Sequence, residues 1–207
     1  MLIPMANPSI SRVTAPGSWR GFSLIELMIG LAIFAFLMAL GVPAFSTFIQ
    51  NSKLRSAAEV FHAGVQMARA EAVRRNQPVQ MILTDDLGDQ SNAQTTNLST
   101  TGRNWILRYQ DPTTLIYQFI EGKSMASGSG QTSTPAVTVT GSVSSVTFNG
   151  FGGTNLAASA TFAFANPTGG SCAPTGPMRC LNIVVSVGGQ ARMCDPAVSA
   201  TGDTRKC

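Results

Sequence analysis

Charge is scarce in this sequence. Charged residues make up 12% of 207, against about 25% in an ordinary globular protein. Histidine is nearly missing: His62 stands alone, which excludes a His-rich metal site. A Ser/His/Asp set has nowhere to form except around that one residue, and its segment reads as helix. Carboxylates are too sparse to form an evident acid–base pair. The stretch Gly150-Phe151-Gly152-Gly153 lacks both the lysine and the strand–turn–helix setting of a phosphate loop. Closely spaced cysteine pairs, with about two to four residues between partners, are absent too, which removes the usual zinc-knuckle signature. No internal repeat is evident. The net charge of +4 is too mild to argue for nucleic acid by itself. These absences turn the reading away from catalysis, and neither a cofactor nor a metal is expected.

What is present begins with one long apolar run. From Phe22 to Phe45 the only ionisable side chain is Glu26. As a helix the run would span about 36 Å, enough to cross a bilayer core of about 30 Å. Arg12 and Arg20 precede it without an acid, so the positive-inside rule holds the N-terminus in the cytoplasm. Two ordinary explanations are a cleaved secretory signal, with Ala39-Leu40-Gly41 as its site, and a plain membrane anchor. The run is longer than the usual signal core of about 7–15 residues. Glu26 also opposes both, because an unpaired carboxylate at the bilayer core costs roughly 2.5 kcal/mol or more.

The stretch Gly21-Phe22-Ser23-Leu24-Ile25-Glu26, with Arg20 before it and the apolar run after it, resembles a type IV prepilin N-terminus. That resemblance implies cleavage by a prepilin peptidase after Gly21 and N-methylation of Phe22. It makes residues 1–21 a leader, 22–49 a transmembrane and filament-core helix, and 50–207 a periplasmic head. It also gives Glu26 a partner, the N-terminal amine of a neighbouring subunit. A buried charge is tolerable when paired, so Glu26 would act as a register device. Pro43 falls where such helices carry a kink, and it lacks the backbone N–H a straight helix needs.

Beyond Pro43, Leu54, Ala57, Ala58, Phe61, Val65, Ala68 and Ala72 recur at three- and four-residue steps. This is one apolar helical face, and Asn76-Gln77-Pro78 should end it. The expected helix therefore runs from Phe22 to about Gln77, with His62 on its flank and Arg69, Arg74 and Arg75 suiting its C-terminal dipole. The pattern then changes to strands: 79–83, 104–109, 115–120, 136–140, 143–148, 160–165 and 181–187. Residues 85–103 and 124–135 read as polar loops, and Trp105 as a packing anchor. The expected class is α+β, a long kinked N-terminal helix packed on an antiparallel β-sheet head. The stretches MARAEAVRRNQPVQM and GRNWILRY are similar to the GspH/FimT/FimU group of pilin-like proteins.

Four cysteines lie in the last third: Cys172, Cys180, Cys194 and Cys207. An even count in a loop-rich region points to disulfides and an oxidising compartment. Cys172–Cys180 with Cys194–Cys207 is the simplest of the three connectivities, and a site holding zinc on all four is the alternative. Some FimT-type pilins bind DNA through a basic C-terminal Gly-Arg-x-Arg motif. The matching place is Gly189-Gln190-Ala191-Arg192, where Arg192 is kept and Gln190 replaces the first arginine. Arg179, Arg205 and Lys206 are further cations that could meet phosphates there.

The resemblance implies a non-enzymatic assembly protein of the bacterial inner membrane. After processing it would enter a filament at or near the tip and help start type IV pilus assembly. Other minor pilins, the major pilin and prepilin peptidase would be its partners. A GspH-like pseudopilin of type II secretion and a DNA-binding pilin for natural transformation are the alternatives.

Overall fold

The computed structural model describes residues 21–86, 92–125 and 137–207, apart from the side chains at positions 40 and 43. Residues 1–20, which include most of the expected leader, lie outside the described residues, as does most of the expected 124–135 loop. The chain falls into two compact units, residues 1–41 and 42–207. Helix α1 (Leu24–Arg75) contributes to both. The helix is continuous through position 43; the Pro43 side chain, and with it the expected kink, lies outside the described residues.

In the second unit, the whole expected stripe of α1 is buried. Leu54, Ala57, Ala58, Ala68 and Ala72 have no exposure, and Phe61 and Val65 have almost none. Five small or β-branched residues among seven let the helix lie close to what it covers. Phe61 alone should stabilise the packing by about 1.5–3 kcal/mol through area removed from water. The helix stops for a reason that the proline rule does not supply. Asn76 sits at φ 50°, its N–H donates to Val73 O, and Gln77 N–H donates to Ala72 O. This is the Schellman arrangement, with asparagine in place of the usual glycine at the left-handed position.

The strands divide between two antiparallel sheets rather than forming one. The first has the order β4 (Tyr117–Ser124), β3 (Asn104–Gln110), β1 (Val79–Thr84) and β6 (Ser145–Phe148). The second has the order β2 (Thr101–Gly102), β5 (Thr138–Gly141), β7 (Ala160–Ala165), β8 (Leu181–Val185) and β9 (Ala191–Cys194). Both sheets feed one core with α1. From the first, Val79, Met81, Leu83, Trp105 and Leu107 point inward; from the second, Val139, Phe162, Phe164 and Ile183 do. Phe61 of α1 lies 4.7 Å from the Phe162 ring and 5.6 Å from the Phe164 ring. Trp105, 1% exposed, packs against α1 at Gly64, where an added Cβ would come within 2.7 Å of the indole.

The first sheet is buried on its other face as well. Ile82 and Ile106 have no exposure, and part of the expected 85–103 loop folds over that face, with Ala93 and Thr96 buried. Arg108 fastens this cover. Its Nη1 donates to Ala93 O at 2.7 Å and its Nε to Gln80 Oε1 at 2.9 Å. Its guanidinium stacks on Tyr117 at 3.9 Å. Burial pulls the Arg108 pKa below its ordinary value. The same loop region also supplies β2, which the sequence reading does not anticipate.

Two further differences are local. The third expected strand begins two residues late, at Tyr117, because Leu115 takes φ 57° and its N–H closes a turn on Asp111 O. The last stretch, expected as 181–187, ends at Val185. A turn closed by Gly189 N–H on Ser186 O follows and leads into β9, a strand absent from the sequence reading.

Candidate functional site

Two regions carry the residues singled out by the sequence. The first is the start of α1. Gly21, Phe22 and Ser23 precede the helix as exposed, non-helical chain, and Ser23 O accepts the first helical bond from Leu27 N. The Gly21–Phe22 bond therefore lies just outside the helix, with nothing within 4 Å of the space a Gly21 side chain would fill. Glu26 lies in the first turn, where a negative charge suits the helix dipole. Among the described residues it is exposed and takes part in none of the ion pairs.

The apolar side chains around it are also uncovered. Phe22 is 84% exposed, and Leu24, Ile29, Phe34, Leu37 and Phe45 are all more than half exposed. A contiguous apolar surface of this size needs a covering phase, lipid or protein. By length and composition this part of α1 can cross a membrane. The pattern switches within one helix: large apolar residues lie uncovered through Phe48, and an apolar stripe is buried from Leu54 to Ala72.

The second region is the C-terminal end of the chain. Cys172 is bonded to Cys180 and Cys194 to Cys207, which leaves no thiolate for the zinc alternative. Among the described residues no group of three or more His, Cys, Asp or Glu side chains can hold a metal ion. The 172–180 loop docks on α1, where Asn51 Oδ1 accepts from Arg179 N at 2.8 Å; ahead of the loop, the buried Asn166 Nδ2 donates to Gln50 Oε1 at 2.8 Å. The second disulfide is reinforced by Arg192. Its Nη1 donates to Lys206 O at 2.8 Å and its Nη2 to Cys207 O at 3.5 Å. Arg192 and Cys194 lie two apart on β9, so both grip the tail from one side of the strand.

The four candidate cations are not equivalent. Arg205 is held by Asp203 through two side-chain contacts, 2.7 and 3.1 Å. Those bonds lower the Asp203 pKa to about 2, so the pair is neutral as a unit near pH 7. Lys206 Nζ reaches Ser199 O at 3.3 Å. Arg179 and Arg205 line one open cleft with Arg55 and Asp195, while Arg192 is committed to the tail carbonyls. His62 serves packing: its Nε2 is 3.2 Å from Ala191 O, which ties α1 to β9.

At the other end of α1, Glu71 receives Arg74 at 2.6 Å and Arg75 at 2.8 Å. These hydrogen bonds lower its pKa from 4.5 to about 2. Arg75 also sits over Tyr109 at 4.4 Å. Nearby is the 149–153 turn, a stretch that the sequence reading takes up only to exclude a phosphate loop. Its only sequence signal is an aromatic residue set among glycines, outside any strand that could bury it.

A long helix with an uncovered apolar half, whose other half is the spine of a two-sheet head, is the type IV pilin architecture. The chain belongs to the family described as type II transport protein GspH, whose profile matches residues 57–189. The prokaryotic N-terminal methylation motif matches residues 20–42. Among solved structures, the fold is similar to the type IV minor pilin FimU of Pseudomonas aeruginosa strain PAO1. The identity is 17% and the TM-score 0.52, over 74% of this chain and 97% of that one. The minor pseudopilin EpsH from the type 2 secretion system of Vibrio cholerae is also matched, at 9% identity and a TM-score of 0.46, over 70% of this chain and 99% of that one. The sequence matches no curated protein.

Proposed function

We propose that this chain is a minor pilin of the type IV pilus. Prepilin peptidase cuts after Gly21, Phe22 becomes the N-methylated first residue, and residues 22–49 anchor the chain in the inner membrane with the head in the periplasm. The subunit then enters the filament at or near its tip and helps to initiate assembly with other minor pilins and the major pilin. The observation that carries this reading is the placement of Gly21–Phe22 and Glu26 at the exposed start of a helix with an uncovered apolar surface. Glu26 fits as the docking residue. In an apolar bundle its charge is tolerable only opposite a positive group, and a new N-terminal amine at Phe22 of a neighbour supplies one.

The test is the surface filament yield of a strain lacking this chain, measured by shearing cells and quantifying the major pilin. The wild-type chain should restore filaments. Glu26→Ala should be cut normally yet fail to restore them, and full restoration by that variant would remove the docking role.

A second reading, a GspH-like pseudopilin of type II secretion, is favoured by the family description itself. It predicts unchanged pili and lost protein secretion in the same strain. A third, DNA binding, draws support from the cleft shared by Arg55, Arg179 and Arg205. The Asp203 clamp on Arg205 and the tail contacts of Arg192 work against it. It predicts a salt-sensitive mobility shift, weakened by charge loss at Arg179, Arg192, Arg205 or Lys206; no shift at low salt would end it.

A further inference from the structure

The 149–153 turn is stiff by construction. Asn149 Oδ1 accepts from Phe151 N and Gly153 N, each at 3.0 Å. The backbone closes twice more, through Asn149 N to Gly153 O and Gly152 N to Asn149 O, both at 2.9 Å. The turn is also wedged between two neighbours. A Cβ at Gly150 would meet Asn76 of the α1 cap at 2.5 Å. A Cβ at Gly152, which sits at φ 80°, would meet Arg69 at 2.9 Å. On the other side Thr154 N donates to Val187 O at 2.9 Å. Such a turn has no freedom to fold its own aromatic side chain away, and Phe151 is 93% exposed.

Phe151 does not stand alone. Val73 is 51% and Val187 45% exposed; both border the turn. Beside them a groove between α1 and the β8–β9 connection is lined by Arg69, Val73, Arg74, Gly189 and Gln190. From position 69 to 75, α1 carries three arginines against one glutamate. Glu71 is bonded to Arg74 and Arg75, whereas Arg69 forms no ion pair among the described residues.

We propose that Phe151, with Val73 and Val187, is the anchor by which this head docks on the head of a different pilin-like subunit, one presenting an apolar socket rimmed by carboxylates. The proposal rests on the filament reading above and names the surface that reading would use. A rigid aromatic beside arginine is a composition enriched at protein–protein interfaces. The arginine excess on α1 selects a partner rim of opposite sign. A second copy of this chain fits poorly, since it has ten acidic against fourteen basic residues and shows the same cationic rim. One aromatic and two valines also offer less apolar area than a single acyl chain, which by itself binds a membrane only marginally.

The test places a photo-crosslinking phenylalanine analogue at position 151 of the full chain in producing cells, and the same probe at Phe34 in the apolar run. Irradiation at position 151 should yield an adduct with another protein bearing a prepilin N-terminus. The crosslinked peptide should be apolar with Asp or Glu beside it, and Arg69→Glu should reduce the adduct about tenfold or more, as expected of a hot-spot contact. Phe151→Ser should lower retention in sheared filaments by a similar factor, and its exposure means that folding is spared. An adduct with lipid, with a second copy or with an unrelated protein overturns the proposal. So does no adduct at 151 while the Phe34 probe captures pilin-like neighbours, an outcome that leaves the filament reading intact. Failure at both positions removes both.

Discussion

Gly64→Ala tests how tightly α1 is fitted to the first sheet. The added Cβ would lie 2.7 Å from Trp105 Cε2 and 2.9 Å from Cζ2, whereas carbon atoms rest at about 3.5–4.0 Å. The indole must therefore move by roughly 1 Å. It starts from a site with 1% exposure, on β3 between Leu83 of β1 and Lys123 of β4. Overpacking of this kind costs about 1–3 kcal/mol. Two effects oppose it. Alanine in a helix interior is better than glycine by about 1 kcal/mol. Trp105 Nε1 also has no hydrogen-bond partner among the described residues, so the ring can shift without breaking a bond. The net expectation is destabilisation by about 1 kcal/mol. Gly64→Val should approach about 3 kcal/mol, because β-branching forgoes most of the helical gain and adds two more carbons to the clash. The assay is urea unfolding of the detergent-solubilised full chain, followed by circular dichroism and by tryptophan emission. If residues 1–21 are removed, Trp105 is the sole tryptophan, and its emission reports the indole directly. Gly64→Ala that is more stable than wild type by the whole helix-propensity gain, with unchanged emission, would refute the wedge.

Two other predictions use the same preparation. Glu71 has its pKa depressed by Arg74 and Arg75 in the folded chain, so its stabilising contribution is fully present above the ordinary value of 4.5 and fades as pH falls toward about 2. The stability gap between wild type and Glu71→Gln should stay constant above about pH 5.5 and close below it; a gap that widens on acidification would contradict this sign. Removing the second disulfide through Cys194→Ser with Cys207→Ser should lower stability by about 3 kcal/mol for a loop of this length and expose the tail to protease. Arg192→Ala in that background should loosen the tail further, and a tail equally protected in all three chains would show that neither contact holds it.

How much was legible in the sequence follows from the range of each interaction. The α1 stripe was readable to the residue, because burial on a helix repeats every three to four positions and Leu54 to Ala72 obey that repeat. The N-terminal methylation motif was recognisable because its signature lies in six consecutive residues. The cysteine pairs were suggested by short loops, although only the fold chose among the connectivities. The end of α1 was located correctly for an incomplete reason: the proline was visible, while the left-handed turn of Asn76 was not.

What only the tertiary structure decided is long-range. Alternation marks a strand but is silent on its neighbour, so the pairing of β1 with β6, of β2 with β5, and the split into two sheets had no local signature. Burial of Arg108 under the 92–96 segment, capture of the tail by Arg192 and the exposure of Phe151 share that origin. Each depends on which distant backbone arrives beside the residue, and a sequence read along its length carries periodicity but not that meeting in space.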